Sequence, residues 1–330
     1  AHWHIPTLEY VTGGLSPGQL ILLGARPGVG KTALALEAST EGSADGGVLV
    51  AIMEAQRVEV AQRMVSRLSG VELSRWKRPA DRKRLAVDDP NAWAALTRAR
   101  ADLHERGIVI LDAGRQTVAS IHANARKMRS RGRLALVVVD YLQLLQDPAG
   151  LGKGANREQA VAANARALKL MAMELGVPVL ALSQLNREAE DAVPTLAMLR
   201  ESGSLEQDAN TVLFLYPPGD QDKEAAVKRV MLLVAKQRNG LADVSVELSY
   251  TRATTAFAEV DVSERQAFSP KRERRRRPSF DGGPGVVDVR DADAVLDAHG
   301  AGDGLPDVDV PAAQLGFDDL GPQDAAAGAA

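Results

Sequence analysis

An α/β fold is what this 330-residue sequence predicts: a mostly parallel central sheet flanked by helices, with an antiparallel pair of strands added late. Three observations lead there. Short runs rich in Val, Ile and Leu alternate with longer helical patterns through residues 1–262. Those runs are apolar throughout instead of alternating with polar residues, as strands buried on both faces are. The first run leads into a glycine-rich loop and then a helix, a unit on which nucleotide-binding sheets are built.

In chain order the expected strands are Leu20–Leu23, Val48–Met53, Ile108–Leu111, Leu136–Asp140, Val177–Leu182 and Val212–Leu215. Helical patterns at 31–40, 56–69, 91–106, 117–131 and 157–175 lie between them, and parallel neighbours need crossovers of that length. Val230–Ala235 and Val244–Ser249 follow as the antiparallel pair, with the turn signal Asn239-Gly240 between them. Ser74–Arg84, rich in Arg and Lys, reads as a basic surface helix or as an ordinary solvated face.

Composition narrows the chemistry. With no cysteine, the chain can form neither a disulfide framework nor a Cys-ligated metal site, and it has no thiol nucleophile. Its five histidines are scattered. The longest apolar run, Leu134 to Leu145, is interrupted by Asp140 and is too short to span a bilayer. The first residues lack the basic and apolar regions of a signal peptide, so a cytoplasmic location is expected. Formal net charge is -3, a sum of unlike parts. Residues 1–270 carry +2, the run 271–277 carries +5, and 278–330, with eleven aspartates and one arginine, carries -10. Residues 263–330 are too poor in large apolar side chains to offset the entropy of ordering, so a disordered tail is expected after a domain at 1–262. The basic run would hold DNA phosphates or simply solvate the chain. Gln314-Leu315-Gly316-Phe317 distantly resembles a sliding-clamp-binding peptide.

The chemistry concentrates in Gly24-Ala25-Arg26-Pro27-Gly28-Val29-Gly30-Lys31-Thr32, which follows the first strand and precedes a helix opening at Ala33. Such a loop wraps a β-phosphate in backbone N–H groups and aims a helix N-terminus at it. Lys31 would reach the β- and γ-phosphate oxygens and Thr32 would hold Mg²⁺, making the chain a P-loop NTPase. The strict pattern wants Gly at position 25, which is Ala. Asp140, closing an apolar strand, is either the second metal carboxylate or a turn former. Glu54, after the second strand, either orients the water that attacks the γ-phosphate or opens the next helix.

Five segments in order resemble the C-terminal ATPase domain of DnaB-type replicative helicases: 25–32, Asp140-Tyr141-Leu142-Gln143-Leu144, Leu182 through Arg187, Leu199 through Ala209, and Lys236-Gln237-Arg238-Asn239-Gly240. The match runs from about residue 7 to 260, and Ala25 agrees with the family. The resemblance implies a RecA-like fold, a hexameric ring, and ATP-driven movement on single-stranded DNA with unwinding in replication. It implies phosphate contacts from Arg26 through Ala33, Thr32 and Asp140 on the metal, and Glu54 as the catalytic glutamate. It also implies that Gln184 couples the γ-phosphate to the DNA loops and that Lys236 and Arg238 reach a neighbour's γ-phosphate. Arg200, Glu201 and Gly203 would track the DNA backbone.

Independent reasoning is compatible with these roles. Lys236 and Arg238 alternate, so they share a face, whether as a finger given in trans or as the solvated edge of a hairpin. The 184–208 connection is longer than most, as functional loops are. Aromatics make up 4% of the chain, which suits backbone tracking better than base stacking. A second loop, 146–156, with Lys153 and nearby Arg157, is a further DNA-side candidate. Only a few residues precede Thr12-Gly13-Gly14-Leu15, so a stand-alone motor without the family's N-terminal collar is expected. Primase, loader or clamp would be its partners. A RecA-superfamily ATPase of the recombination or clock type is the rival, and a DNA-binding, ring-regulating module without productive hydrolysis is another. Intact Lys31, Thr32, Glu54 and Asp140 weigh against the latter.

Overall fold

The strands lie where the apolar runs place them. They are β1 (Leu20–Ala25), β2 (Gly47–Ile52), β3 (Ile108–Leu111), β4 (Leu134–Asp140), β5 (Val179–Gln184), β6 (Thr211–Tyr216), β7 (Val227–Gln237), β8 (Val244–Thr251) and β9 (Ala256–Glu259). The structure is a computed structural model that describes residues 1–260 except 113, 115, 133, 147–156, 187–192, 200–202, 220–224 and 239. Among the described residues the nine strands form one sheet in the order β3-β2-β4-β5-β1-β6-β7-β8-β9. The first six in that order are mutually parallel. The last three attach antiparallel, so the expected late pair is extended by a third strand, β9. The four-residue β9 is too short to leave a periodicity signal.

Helices cover both faces. On one side α1 (Pro6–Thr12), α2 (Lys31–Gly42) and α3 (Arg57–Ser69) pack on Ile21, Leu23, Val50 and Val138. On the other, α6 (Val118–Arg131), α7 (Arg157–Leu175) and α8 (Gly203–Asp208) belong with Leu20, Leu22, Val137 and Val139. Adjacent residues of one strand thus enter opposite cores, which is why β1 and β4 read as continuous apolar runs. Each such side chain contributes roughly 1.5–3 kcal/mol on burial, but with both faces apolar that burial alone does not choose the register of β1; Gly24, where a Cβ would lie 2.8 Å from Phe214, does so sterically. A polar contact holds it too: the Leu20 N–H donates to Asn210 Oδ1 at 3.1 Å.

Between β2 and β3, α4 (Pro79–Asp88) and α5 (Pro90–Glu105) fold against α3 around Val65, Trp76, Leu85 and Leu96. The basic segment at 74–84 therefore contributes a helix, begun by Pro79 at its first position. Asp89 caps α5 by accepting from the Ala92 N–H. Two expectations need correction. The connection after β5 is not a plain loop, because a 3-10 turn at Leu196–Met198 and α8 occupy it, with Leu185 bridging Leu199. The β7–β8 hairpin does not close in a two-residue turn either. Its last pair is Val234–Val244; Ala235 is skipped where the β6 register shifts, and Lys236 and Gln237 pair with β6 alone. The tail at 261–330, with its basic run and clamp-like peptide, lies outside the described residues, as do Lys153 and most of the 146–156 loop.

Ala25 and Gly24 exchange the importance the sequence pattern suggests. Ala25 is the last residue of β1, pairs with Gln184 and Leu215, and buries its methyl in the core. Gly24 has no room for one: a Cβ there would lie 2.8 Å from Phe214 Cδ1 and 3.1 Å from Leu185 Cδ2. Gly24→Ala is expected to cost ~1–3 kcal/mol by overpacking, and Phe214→Leu in the same chain should recover part of it. Chemical denaturation of the two variants checks this, and an unchanged midpoint in Gly24→Ala would contradict it.

Candidate nucleotide site

Because the parallel strands are buried on both faces, side chains with chemistry collect where those strands end. Residues 26–30 leave the carboxyl end of β1 and enter α2 at Lys31, with Gly28 and Gly30 at φ +80° and +111°. Those conformations suit glycine and let successive N–H groups turn inward. Gly30 is also held from outside, since a Cβ on it would meet Phe257 Cζ at 2.9 Å. That ring stacks on Tyr250 with centroids 4.5 Å apart.

β4 delivers Asp140 to the first turn of α2. The Thr32 hydroxyl donates to Asp140 Oδ2 at 2.7 Å, and Lys31 Nζ lies 3.9 Å from Oδ1. The Lys31 ammonium also sits 4.6 Å from the centre of the Tyr141 ring. Burial pushes the Asp140 carboxyl above the usual range, and Lys31 and the Thr32 hydrogen bond offset this only in part. Burial likewise pushes the Lys31 ammonium down, against the attraction of Asp140 and Glu54. Both charged forms are thus held at a cost. Asp140 Oδ1 is buried and accepts no hydrogen bond among the described residues. A buried, unsatisfied carboxylate oxygen beside a threonine hydroxyl suits a hard, oxygen-seeking cation such as Mg²⁺.

Glu54 follows β2, and Gln184 ends β5, which lies between β4 and β1. Both line a cleft of about 470 Å³ together with Arg26, Pro27, Gly28, Gly30, Lys31, Thr32 and Ala33. Val29 is packed against the core beside it. The Gln184 N–H donates to Gln143 Oε1 at 3.4 Å, and Gln143 Nε2 donates to Ser183 Oγ at 3.0 Å, so the turn after β4 holds the end of β5. Sequence reasoning missed the far wall. Arg63 from α3, Lys77, and Tyr250, Arg252 and Thr255 from the β8–β9 hairpin complete the lining. None belongs to a local motif, and Arg63 is one arginine among several on an amphipathic helix. Among the described lining residues, five cations face two carboxylates, the balance a polyphosphate requires.

Lys236 and Arg238 are elsewhere. The Arg238 N–H donates to Asn210 O, and the Asn210 N–H to Leu20 O, which places Arg238 level with the amino end of β1. At ~3.3 Å per residue, the six-residue strand separates it from the start of the phosphate loop by about 20 Å. Their side chains instead donate to the Glu206 and Gln207 carbonyls at the C-terminal end of α8. Helix C-termini leave such carbonyls without partners, and they attract cations. Burial and the neighbouring Arg238 both push the Lys236 ammonium down. Gly203 begins α8, whereas Arg200 and Glu201 lie outside the described residues.

Asp140→Asn tests the strained pair. The amide keeps an acceptor for Thr32 and sheds the buried charge, so the nucleotide-free variant should melt no lower than the unsubstituted protein. The gap between them should close as pH falls through the raised pKa of Asp140, where the carboxyl is neutral as well. ATP with Mg²⁺ at a hundredfold excess over Kd should stabilise the unsubstituted protein by about 2.7 kcal/mol and the variant far less. Thermal melts across pH, with and without nucleotide, check each point.

Comparison with known proteins agrees with this geometry. The family model described as the DnaB-like helicase C-terminal domain matches residues 3–259. The chain is 36% identical over 260 residues to the replicative DNA helicase DnaB of Leifsonia xyli subsp. xyli, covering 77% of this chain and 54% of that protein. It is 37% identical over 266 residues to the DnaB of Geobacillus stearothermophilus, covering 78% and 57%. The chain therefore spans about half the length of the curated relatives it matches. A solved DnaB-like replicative helicase, described with its interactions with primase, superposes with a TM-score of 0.70 at 29% identity, covering 78% of this chain and 61% of that one. A solved ATPase domain superposes equally well at 31% identity, over 90% of its length. With its fold, its cleft and its sequence all in agreement, the chain belongs to the DnaB-like helicase C-terminal domain family.

Proposed function

We propose that this chain is an ATP-hydrolysing motor that moves on single-stranded DNA and unwinds duplex in replication, working as a ring of copies. One observation carries the reading: the cleft gathers Lys31, Thr32, Asp140, Glu54 and Gln184, while Lys236 and Arg238 sit at the other end of the same sheet. One copy alone cannot bring both sets to one phosphate. Two copies, packed head to tail, can, and a head-to-tail contact that closes makes a ring.

In this reading the N–H groups of Gly28 through Thr32 hold the β-phosphate of ATP, and Lys31 sets its charge against the γ-phosphoryl oxygens. Glu54 orients the attacking water and accepts its proton. Mg²⁺, when bound at Thr32 and Asp140, neutralises charge shared between the β- and γ-phosphates. Lys236 and Arg238 of the adjacent copy stabilise the charge of the transition state, so hydrolysis awaits assembly. Gln184 passes the state of the γ-phosphate to the segment holding Arg200, Glu201 and Gly203, which follows the DNA backbone. A partner primase, as in the solved relative's description, would bind outside this cleft.

Lys31→Ala should lose turnover, and the unsubstituted protein should hydrolyse ATP faster with single-stranded DNA present. Arg238→Ala should bind ATP with little change yet turn over slowly, by on the order of 10³-fold for a lost arginine finger. Mixing Arg238→Ala with Lys31→Ala should restore part of the activity, because some junctions then pair an intact phosphate loop with an intact finger. No recovery at any ratio, measured by phosphate release, would sink the shared site. An assembled protein that hydrolyses ATP without binding single-stranded DNA would sink the translocase reading.

A further inference from the structure

Glu37 is a carboxylate that the proposed hydrolysis does not use, and it is only 1% exposed. It lies on α2, well inside the helix that begins at Lys31. A buried carboxylate is costly unless paired and hydrogen-bonded. Its Oε2 accepts a hydrogen bond from the Phe257 N–H of β9 at 3.0 Å and pairs with the Arg67 guanidinium of α3, whose Nε lies 3.2 Å away, while its buried Oε1 accepts no hydrogen bond among the described residues. Arg67 then extends its fork along α2, to Thr40 Oγ1 at 2.9 Å and Glu41 Oε1 at 2.8 Å.

Each element so joined carries one wall of the cleft. α2 carries Lys31 and Thr32. α3 carries Arg63, four residues before Arg67 and so on the same helix face, and Arg63 lines the cleft. β9 is the edge strand, and its Phe257 presses its ring against Gly30. An edge strand presents N–H groups that need a partner outside the sheet, and Glu37 supplies one for Phe257. Simple core filling does not call for this arrangement, since apolar side chains of similar volume generally stabilise as well or better than a buried ion pair. A forked guanidinium does differ from an apolar contact in one respect: it fixes direction and register.

We infer that Glu37 and Arg67 are positioning residues for ATP turnover, holding α3, and through it Arg63, at a set place over the phosphate loop. The inference rests on the ATP-hydrolysis reading above. Three variants of the full chain test it: Glu37→Gln, Arg67→Lys, and the apolar double substitution Glu37→Leu with Arg67→Met. All three should bind a fluorescent ATP analogue with Kd within about threefold of the unsubstituted protein, since no residue of the phosphate loop is substituted. Arg67→Lys and the double variant should lose kcat by on the order of 10- to 100-fold, the scale of a displacement near 1 Å. The double variant should recover the melting temperature without recovering kcat. Hydrogen exchange in α3 and at Gly28–Thr32 should quicken in the double variant, a readout that needs no turnover. If kcat instead rises and falls with melting temperature, or exchange in both segments is unchanged, the inference is overturned. An unsubstituted chain that hydrolyses no ATP would overturn the ATPase reading alone, and the exchange experiment would still decide the positioning.

Discussion

The hydrogen bond from Thr32 to Asp140, 2.7 Å across the carboxyl end of the sheet, is the contact on which the site depends. It exists because β1 and β4 run parallel with only β5 between them, so that Asp140, the last residue of β4, lies level with Leu23, two residues before β1 gives way to the phosphate loop. Strands buried on both faces leave no other place for charged groups. The same rule sets Glu54 after β2 and Gln184 at the end of β5. The arrangement is held against its own electrostatics. Burial raises the pKa of Asp140 and lowers that of Lys31, so both charged forms are held at a cost that a polyphosphate and a cation would offset. A site that is uneasy alone is one whose ligand contributes stability when it binds.

The antiparallel extension solves a different problem. β7 reverses direction beside β6 and carries Lys236 and Arg238 back to the amino end of the sheet. There they rest on the last carbonyls of α8, a helix that begins at Gly203 beside the proposed DNA segment. β8 then returns towards the phosphate loop and supplies Tyr250, and β9 starts from that end with Phe257. One run of three strands thereby serves two cleft walls, one in its own chain and, in the proposed ring, one in its neighbour.

Much of this was legible in the sequence, for a physical reason. Contacts local along the chain leave local patterns: a glycine loop between strand and helix, an apolar run ending in Asp, an Asn-Gly near a reversal. Five of the six parallel strands were readable because burial on both faces demands unbroken apolar runs; the edge strand β3 is apolar though only half-buried. The far wall was not. Arg63, Tyr250 and Arg252 reach the cleft by tertiary packing, and nothing within ten residues of each announces it. Gly24 and Ala25 show the same limit in miniature, since which of them must be small is decided by Phe214, nearly two hundred residues away. Nothing in the helical pattern around Glu37 marks it as buried; Arg67 and Phe257, from distant segments, close over it.

In the proposed ring each chain alone leaves its site incomplete, and the most direct measurement is ATP turnover per chain as a function of protein concentration, with mass measured by light scattering at each point. Turnover per chain should be near zero where the protein is monomeric and climb steeply as the assembled species appears. A turnover per chain that stays constant down into the monomer range would contradict the shared site.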